Sequence, residues 1–141
     1  MRSWAEAALA LGLTLVLGLG LWMFTGESLG AGSTETTTAV AFDSEAAARG
    51  DAIAASTGCL ACHTIDGTTG TGPTFKGLAG ASRPLATGES VSADDAYLFS
   101  SVVDPTAQVV AGFDPVMPAT YSESLTEDEI NDLVEYVKSL G

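Results

Sequence analysis

Near its middle the chain reads Cys59-Leu60-Ala61-Cys62-His63, a stretch that decides how the rest must fold. Two cysteines separated by two residues and followed directly by histidine form the C-x-x-C-H signature of c-type haem attachment. On one helical turn, two thiols can reach the two vinyl groups at one edge of a haem, and the next side chain then lies under the iron. The motif therefore predicts one covalent haem c, with thioether bonds from Cys59 and Cys62 and an axial bond from His63.

The same cysteine spacing also occurs in zinc sites and in thioredoxin-like redox sites. A structural zinc site needs four protein ligands, whereas the chain contains two cysteines and one histidine. A thioredoxin-like motif would lie in a βαβ pattern, and the sequence shows no such pattern. Both alternatives are therefore weaker than haem attachment.

Met117 is the predicted second axial ligand of the iron. His63 is the only histidine, and the other two methionines lie in the apolar N-terminal segment. Pro115 and Pro118 restrict the backbone around Met117. A core-filling role is the ordinary alternative for a methionine. A His/Met pair, however, is typical of electron-transfer cytochromes c.

The charge of the chain limits its partners. The formal net charge is −13 and the sequence pI is near 4.1, which argues against nucleic acid, because proteins that bind it are basic. The acidic residues are spread along the soluble part, where they form a solvated surface or a docking face for a basic partner. Among the few basic residues, Lys76 and Arg83 either meet the haem propionates or are surface charges.

Residues 1–25 are predicted to form a single transmembrane anchor. Residues 7–24 carry no charge, and the twenty-one residues from Trp4 onward would span roughly 30 Å as a helix, enough to cross a bilayer. By the positive-inside rule, Arg2 places the N-terminus in the cytoplasm, so the rest of the chain would lie on the periplasmic or extracellular side of a bacterial cytoplasmic membrane. A cleaved signal peptide is the alternative, although its apolar core is normally shorter.

The remaining chain is predicted to form a linker and one domain. Residues 26–41 are rich in Gly, Ser and Thr and are expected to be a flexible tether. Residues 42–141 are expected to form an all-α domain, because no strand signal is convincing. With about 100 residues its core is thin, so a covalently held haem would stand in for much of it.

Three helices are predicted in this domain. The first is capped by Asp43 or Ser44 and ends near Gly58. The second is capped by Ser92 and stopped before Pro105.

The C-terminal helix is the clearest of the three. Thr126 and Glu129 form a capping box at its start. An apolar stripe then follows at helical spacing: Ile130, Leu133, Val134, Val137 and Leu140. The stripe is expected to pack on the first helix, with Tyr136 at a close crossing near Gly50.

Two loops are predicted to cover the two faces of the haem. Residues 66–80 are rich in Gly and contribute Phe75 as an apolar contact. Residues 106–121 carry Met117 across the opposite face. A ligating histidine usually donates its second ring N–H to a carbonyl or carboxylate, and a backbone carbonyl of the first loop is the expected acceptor for His63.

At this point the domain resembles the class I, or mitochondrial-type, c-type cytochromes. The resemblance covers about residues 42–141 and rests on the order of the motifs: a helix, the C-x-x-C-H stretch, Gly72-Pro73-Thr74-Phe75, Val116-Met117-Pro118 and a closing amphipathic helix. It implies an all-α class I cytochrome c fold around one haem. It also implies that the carbonyl of Pro73 accepts the ring N–H of His63.

A narrower likeness concerns the second half of the domain. The segments 93–98, 104–105, 109–113 and 125–130 look like the cytochrome c domain fused to subunit II of caa3-type terminal oxidases. The chain departs from that family because it has no cupredoxin domain and, with one histidine, could not bind a binuclear copper centre. The likeness implies respiratory electron transfer towards an oxidase.

The expected function is one-electron transfer rather than enzymatic catalysis. A membrane-anchored monohaem cytochrome c would pass electrons from a quinol-oxidising complex to a terminal oxidase. The alternative is a fixed haem c subunit of a larger respiratory or photosynthetic complex. A haem peroxidase or gas sensor, which needs an open iron position, is the weakest of the three hypotheses.

Overall fold

The computed structural model describes residues 40–141, which form a mainly helical domain. Its elements in chain order are helix α1 (Ser44–Ser56), a 3₁₀ turn (Cys59–Ala61), strands β1 (Ser82–Pro84) and β2 (Ser90–Ser92), and helices α2 (Asp95–Val103), α3 (Tyr121–Ser124) and α4 (Glu127–Ser139). The predicted anchor, residues 1–25, and nearly all of the predicted linker lie outside the described residues. Within residues 40–141, no helix is long and apolar enough to cross a membrane.

Helices α1 and α4 begin where the sequence predicts. Asp43 is the N-cap of α1, and its side chain accepts hydrogen bonds from the backbone N–H groups of Glu45 and Ala46. Thr126 and Glu129 form the predicted capping box of α4. Each cap satisfies backbone donors that the first helical turn leaves free.

The crossing of α1 and α4 is as close as predicted. A Cβ atom added at Gly50 would lie 2.6 Å from the carbonyl carbon of Asp132 and 2.8 Å from Cβ of Tyr136. The absence of a side chain at Gly50 therefore lets the two backbones approach. Beside the crossing, Arg49 donates two hydrogen bonds of 2.7 Å to the carboxylate of Asp132, a bidentate geometry that also fixes orientation.

The apolar stripe of α4 supplies much of the core. Four of its five predicted members, Ile130, Leu133, Val134 and Val137, are buried, and Tyr136 is buried beside them. Val134 and Val137 pack with residues of α2 and of the segment before the strands, whereas Leu133 and Tyr136 pack with Ala54 of α1. Helix α4 therefore contributes residues to both apolar clusters of the domain.

Two features differ from the prediction. Strands β1 and β2 form an antiparallel hairpin in which Ser82 pairs with Ser92 and Arg83 with Val91, so the domain is not purely α-helical. Because Ser92 belongs to this hairpin, it does not cap α2. The N-cap is Asp94, whose side chain accepts a hydrogen bond from the N–H of Tyr97.

The short helix α3, Tyr121–Ser124, was also not predicted. It follows the loop that carries Met117 and precedes the cap of α4. Because α3 begins four residues after Met117, it fixes the C-terminal end of the loop that carries this residue.

Candidate cofactor site

The attachment motif lies on a tight turn directly after α1. Gly58 has a φ of +82°, a left-handed conformation that glycine adopts without strain, and it turns the chain into the 3₁₀ turn. The backbone N–H groups of Cys62 and His63 both donate to the carbonyl of Cys59, at 3.2 and 3.0 Å. The two thiols and the imidazole therefore project from one turn, as attachment to a single haem requires. Neither cysteine forms a disulfide; Cys59 is half-buried and Cys62 exposed.

The ring of His63 is held from two sides. Its Nδ1 lies 2.7 Å from the carbonyl oxygen of Pro73; since a carbonyl can only accept, Nδ1 carries the proton and donates. The ring stacks on Phe75, with centroids 4.6 Å apart and planes 13° from parallel. Burial lowers the pKa of His63, and the bond to Pro73 partly opposes that shift. The neutral ring then keeps the lone pair of Nε2 free for a metal.

The loop that orients His63 is laid against the attachment segment. The N–H of Gly72 donates to the carbonyl of Cys62 at 2.9 Å, and the N–H of Phe75 donates to the carbonyl of Thr64 at 2.8 Å. A Cβ at Gly72 would lie 2.5 Å from Cε1 of His63. Position 72 therefore has no space for a side chain while the ring keeps its orientation.

Met117 reaches the site on the second predicted loop. The start of this loop is fixed to the hairpin, because Val110 forms a β-bridge with Leu85 and the N–H of Ala111 donates to the carbonyl of Pro84 at 2.8 Å. Met117 follows six residues later and is half-buried.

One cavity of about 260 Å³ brings together all six predicted site residues: Cys59, Cys62, His63, Pro73, Phe75 and Met117. Apolar side chains of α2 and α4 complete its wall, including Leu98, Leu133 and Val134. The cysteines and the two candidate iron ligands thus face a common apolar space, which is what a haem with two axial protein ligands needs.

The polar groups of the cavity also suit a haem. Arg83 lines it, and within residues 40–141 its buried Nε has no hydrogen-bond partner. An unpaired buried guanidinium N–H calls for an acceptor, and a haem propionate is a carboxylate of the kind that Arg binds best. The sequence left Lys76 and Arg83 as equal candidates; Arg83 borders the cavity, whereas Lys76 is exposed and lies near Gly67.

Two tyrosines of the cavity wall were not singled out as site residues. Tyr97 lies on α2, and Tyr121 begins α3. The sequence carries no local signal for Tyr121, because its hydroxyl donates to the carbonyl of Thr57, 64 residues earlier in the chain. Sequence reasoning could have found Tyr97, since it shares a helical face with other apolar residues of α2.

A zinc-binding alternative finds no support in the described domain. No group of three or more His, Cys, Asp and Glu side chains in residues 40–141 lies close enough to hold a metal ion. A closed zinc site needs four such ligands.

Comparison with known proteins gives one family. The family model described as Cytochrome c matches residues 47–141, which is more than half of the chain and includes the whole cavity. No curated protein matches the chain. The chain therefore belongs to the cytochrome c family, and its cofactor is haem c, bound covalently at the C-x-x-C-H motif of Cys59 and Cys62.

Proposed function

We propose that this protein is a one-electron carrier in which His63 and Met117 are the two axial ligands of the haem iron. The observation that carries the proposal is that both side chains line the same cavity as the two attachment cysteines. Haem c supplies the redox chemistry, because its iron alternates between the ferric and ferrous states. A His/Met pair raises the reduction potential of that couple.

The residues around the site support a carrier rather than an enzyme. His63 is held by Pro73 on one side and stacked on Phe75 on the other, which fixes the ring for one axial position. Met117 comes from the opposite loop and would fill the second. With both positions filled by the protein, no iron position remains for oxygen, peroxide or another small ligand, which a haem peroxidase or gas sensor requires.

The charge distribution supports a basic protein partner. Of the four basic residues in the described domain, Arg49 is paired with Asp132, Lys138 with Asp95 and Glu135, and Arg83 lines the cavity. The acidic surface is therefore largely uncompensated. Such a surface steers positively charged partners and makes their association sensitive to salt.

The pathway proposed is respiratory. The likeness to the cytochrome c domain of caa3-type oxidases supports transfer from a quinol-oxidising complex to a terminal oxidase. Residues 1–25 would anchor the domain to the outer face of a bacterial cytoplasmic membrane, and residues 26–41 would let it move near that surface. Tethering raises the effective concentration of a carrier near both partners without a new contact.

A second candidate is a fixed haem c subunit of one larger complex. The glycines of the N-terminal segment, Gly12, Gly18 and Gly20, favour it, because small residues allow close packing of membrane helices. Purification in mild detergent distinguishes the two. Stoichiometric recovery with the subunits of one complex supports the fixed subunit, and recovery alone or in traces with two complexes supports the shuttle.

The axial assignment is tested by Met117→Leu, which removes the sulfur and keeps most of the apolar volume. We expect the variant to retain covalent haem, to lose the sulfur-to-iron charge-transfer band of the ferric protein and to have a lower reduction potential. Ile65→Ala, a change at an exposed apolar side chain (46% accessible) that does not line the cavity, is the control and should leave the band and the potential unchanged. A Met117→Leu protein with the spectrum and potential of the parent would show that Met117 only fills the core.

The attachment is tested by replacing both cysteines. Cys59→Ala combined with Cys62→Ala should yield protein whose haem is extracted by acidified organic solvent. Haem that stays with this double variant after extraction would contradict attachment through these two thiols.

A further inference from the structure

The segment that carries Met117 forms few hydrogen bonds with the rest of the domain. We define the distal segment as residues 112–125. Its backbone hydrogen bonds are local: the N–H of Val116 donates to Asp114, and the N–H groups of Ser124 and Leu125 donate to Thr120 and Tyr121. Within residues 40–141, one hydrogen bond joins the distal segment to a residue that lies more than three positions before or after the segment in the sequence. It runs from the hydroxyl of Tyr121 to the carbonyl of Thr57, at 3.3 Å.

The acceptor of that bond is itself well fixed. Thr57 is the C-cap of α1, and both its N–H and its Oγ1 donate to the carbonyl of Ile53, at 2.9 and 2.7 Å. Its Oγ1 also lies 3.3 Å from Sγ of Cys59. Tyr121 therefore ties the distal segment to a rigid point two residues before the first attachment cysteine.

The hydrogen bond from Tyr121 to Thr57 is close enough in the sequence to Met117 to restrict the position of that residue. Three residues separate Met117 from Tyr121, and the first of them is Pro118, which fixes its own φ. Thr120 is the N-cap of α3, so the chain is already helical at Tyr121. On the other side of Met117, the nearest connection to the hairpin is that of Val110 and Ala111. Apart from the apolar packing of Leu125 against Ala54, Leu133 and Tyr136, the position of Met117 thus depends on one hydrogen-bonded anchor before it and one after it.

We propose that Tyr121 is a positioning residue, whose bond to Thr57 holds the distal segment closed and keeps Met117 over the iron. The proposal rests on the assignment of Met117 as axial ligand. Tyr121 acts through the backbone and does not bind the iron. Loss of its hydroxyl lets the segment open more often, so that an external ligand reaches the iron more readily. One ordinary net hydrogen bond corresponds to about a fivefold change in such an opening equilibrium.

The experiment uses the ferric holoprotein and cyanide, which must displace Met117 before it binds. We expect Tyr121→Phe to keep the haem and the fold and to bind cyanide about five times faster at low cyanide concentration, where the observed rate is proportional to the opening equilibrium constant. Tyr136→Phe is the matched control, because it removes the hydroxyl of a tyrosine that lies outside the distal segment, at the crossing of α1 and α4. It should leave the cyanide rate within twofold of that of the parent.

Hydrogen exchange gives a second, independent readout. In Tyr121→Phe, the amide of Leu125, which bonds to the carbonyl of Tyr121, should exchange faster, again by about fivefold. The amides of α1 should keep their parental rates. If Tyr121 only stabilised the fold as a whole, the exchange rates of Leu125 and of the α1 amides would instead rise together.

The outcomes separate this proposal from the proposed function. Unchanged cyanide binding and unchanged Leu125 exchange in Tyr121→Phe, with rapid cyanide binding in Met117→Leu, would overturn the role of Tyr121 and leave the ligand assignment intact. Cyanide binding that is as slow in Met117→Leu as in the parent would overturn the ligand assignment itself.

Discussion

Gly50→Ala is the substitution that tests the helix crossing most sharply, because helix propensity and packing predict opposite results. Gly50 lies inside α1, where alanine stabilises an exposed helical position by about 1 kcal/mol relative to glycine. In this protein, however, the new Cβ would lie 2.6 Å from the carbonyl carbon of Asp132 and closer still to its carbonyl oxygen. These atoms belong to the backbone of α4 and cannot rotate away.

The size of the effect follows from these opposing contributions. Overpacking of a well-packed interior costs about 1–3 kcal/mol, and contact with rigid backbone lies at the upper end of that range. After about 1 kcal/mol of gained helix propensity, we expect a net loss of about 2 kcal/mol in the free energy of unfolding. For a domain of about 100 residues this lowers Tm by about 10 °C. Displacement of α4 would also lengthen the two 2.7 Å hydrogen bonds between Arg49 and Asp132.

The assay is urea unfolding of the holoprotein followed by circular dichroism. Ala52→Gly is the matched control, because it makes the reverse change at an exposed position of the same helix and should cost about 1 kcal/mol from propensity alone. A Gly50→Ala protein as stable as the parent, or more stable, would refute the argument that α1 and α4 cross in contact at Gly50.

The remaining predictions concern the site and the acid stability. Gly72→Ala should displace the ring of His63, since the new Cβ would lie 2.5 Å from Cε1; we expect less haem per protein by absorbance, and a parental haem content would contradict the packing argument. Arg83→Gln should lower the reduction potential, because loss of a cation at the cavity favours the more positive ferric form; a redox titration identical to that of the parent would place Arg83 away from the propionates. The third prediction concerns Glu129, whose pKa is held below its usual value by hydrogen bonds from the backbone N–H and the hydroxyl of Thr126. The contribution of Glu129 to stability is therefore complete above the unfolded-state pKa and is lost as the pH falls through the folded-state pKa. The urea midpoint of Glu129→Gln should consequently fall less steeply than that of the parent between about pH 5 and pH 3. Parallel curves for the two proteins would exclude this role of Glu129.

The terminal helices and their crossing could be predicted from the sequence because their signals are local. Thr126 and Glu129 are three residues apart, the apolar stripe of α4 repeats at helical spacing, and Gly50 is costly in a helix unless another backbone approaches. Each of these signals requires only neighbouring residues or one helical face.

The hairpin could not be predicted in the same way. Its strands are three residues long, and Ser82, Ser90 and Ser92 are exposed, so no apolar alternation marks them. Ser92 and Asp94 are both good N-cap residues two positions apart. The pairing of Ser92 with Ser82 decides between them, and that pairing is tertiary.

Cys59, Cys62, His63 and Met117 could be proposed from the sequence because their chemistry is rare in the chain, whereas Pro73 was implied by the resemblance to class I cytochromes c. One C-x-x-C-H stretch and one methionine outside the N-terminal segment leave few choices. The roles of Arg83 and Tyr121 depend instead on contacts across the fold. Arg83 lies between one exposed serine and one exposed proline in a short strand, and the hydroxyl of Tyr121 donates to a carbonyl at the end of α1. No residue near either one indicates these contacts.

The measurement that tests the central claim most directly is the addition of carbon monoxide to the reduced holoprotein at neutral pH. If His63 and Met117 occupy both axial positions, the ferrous spectrum should stay unchanged, because no iron position is open. Complete and rapid conversion to the carbon monoxide complex would contradict both the ligation by Met117 and the function of a one-electron carrier.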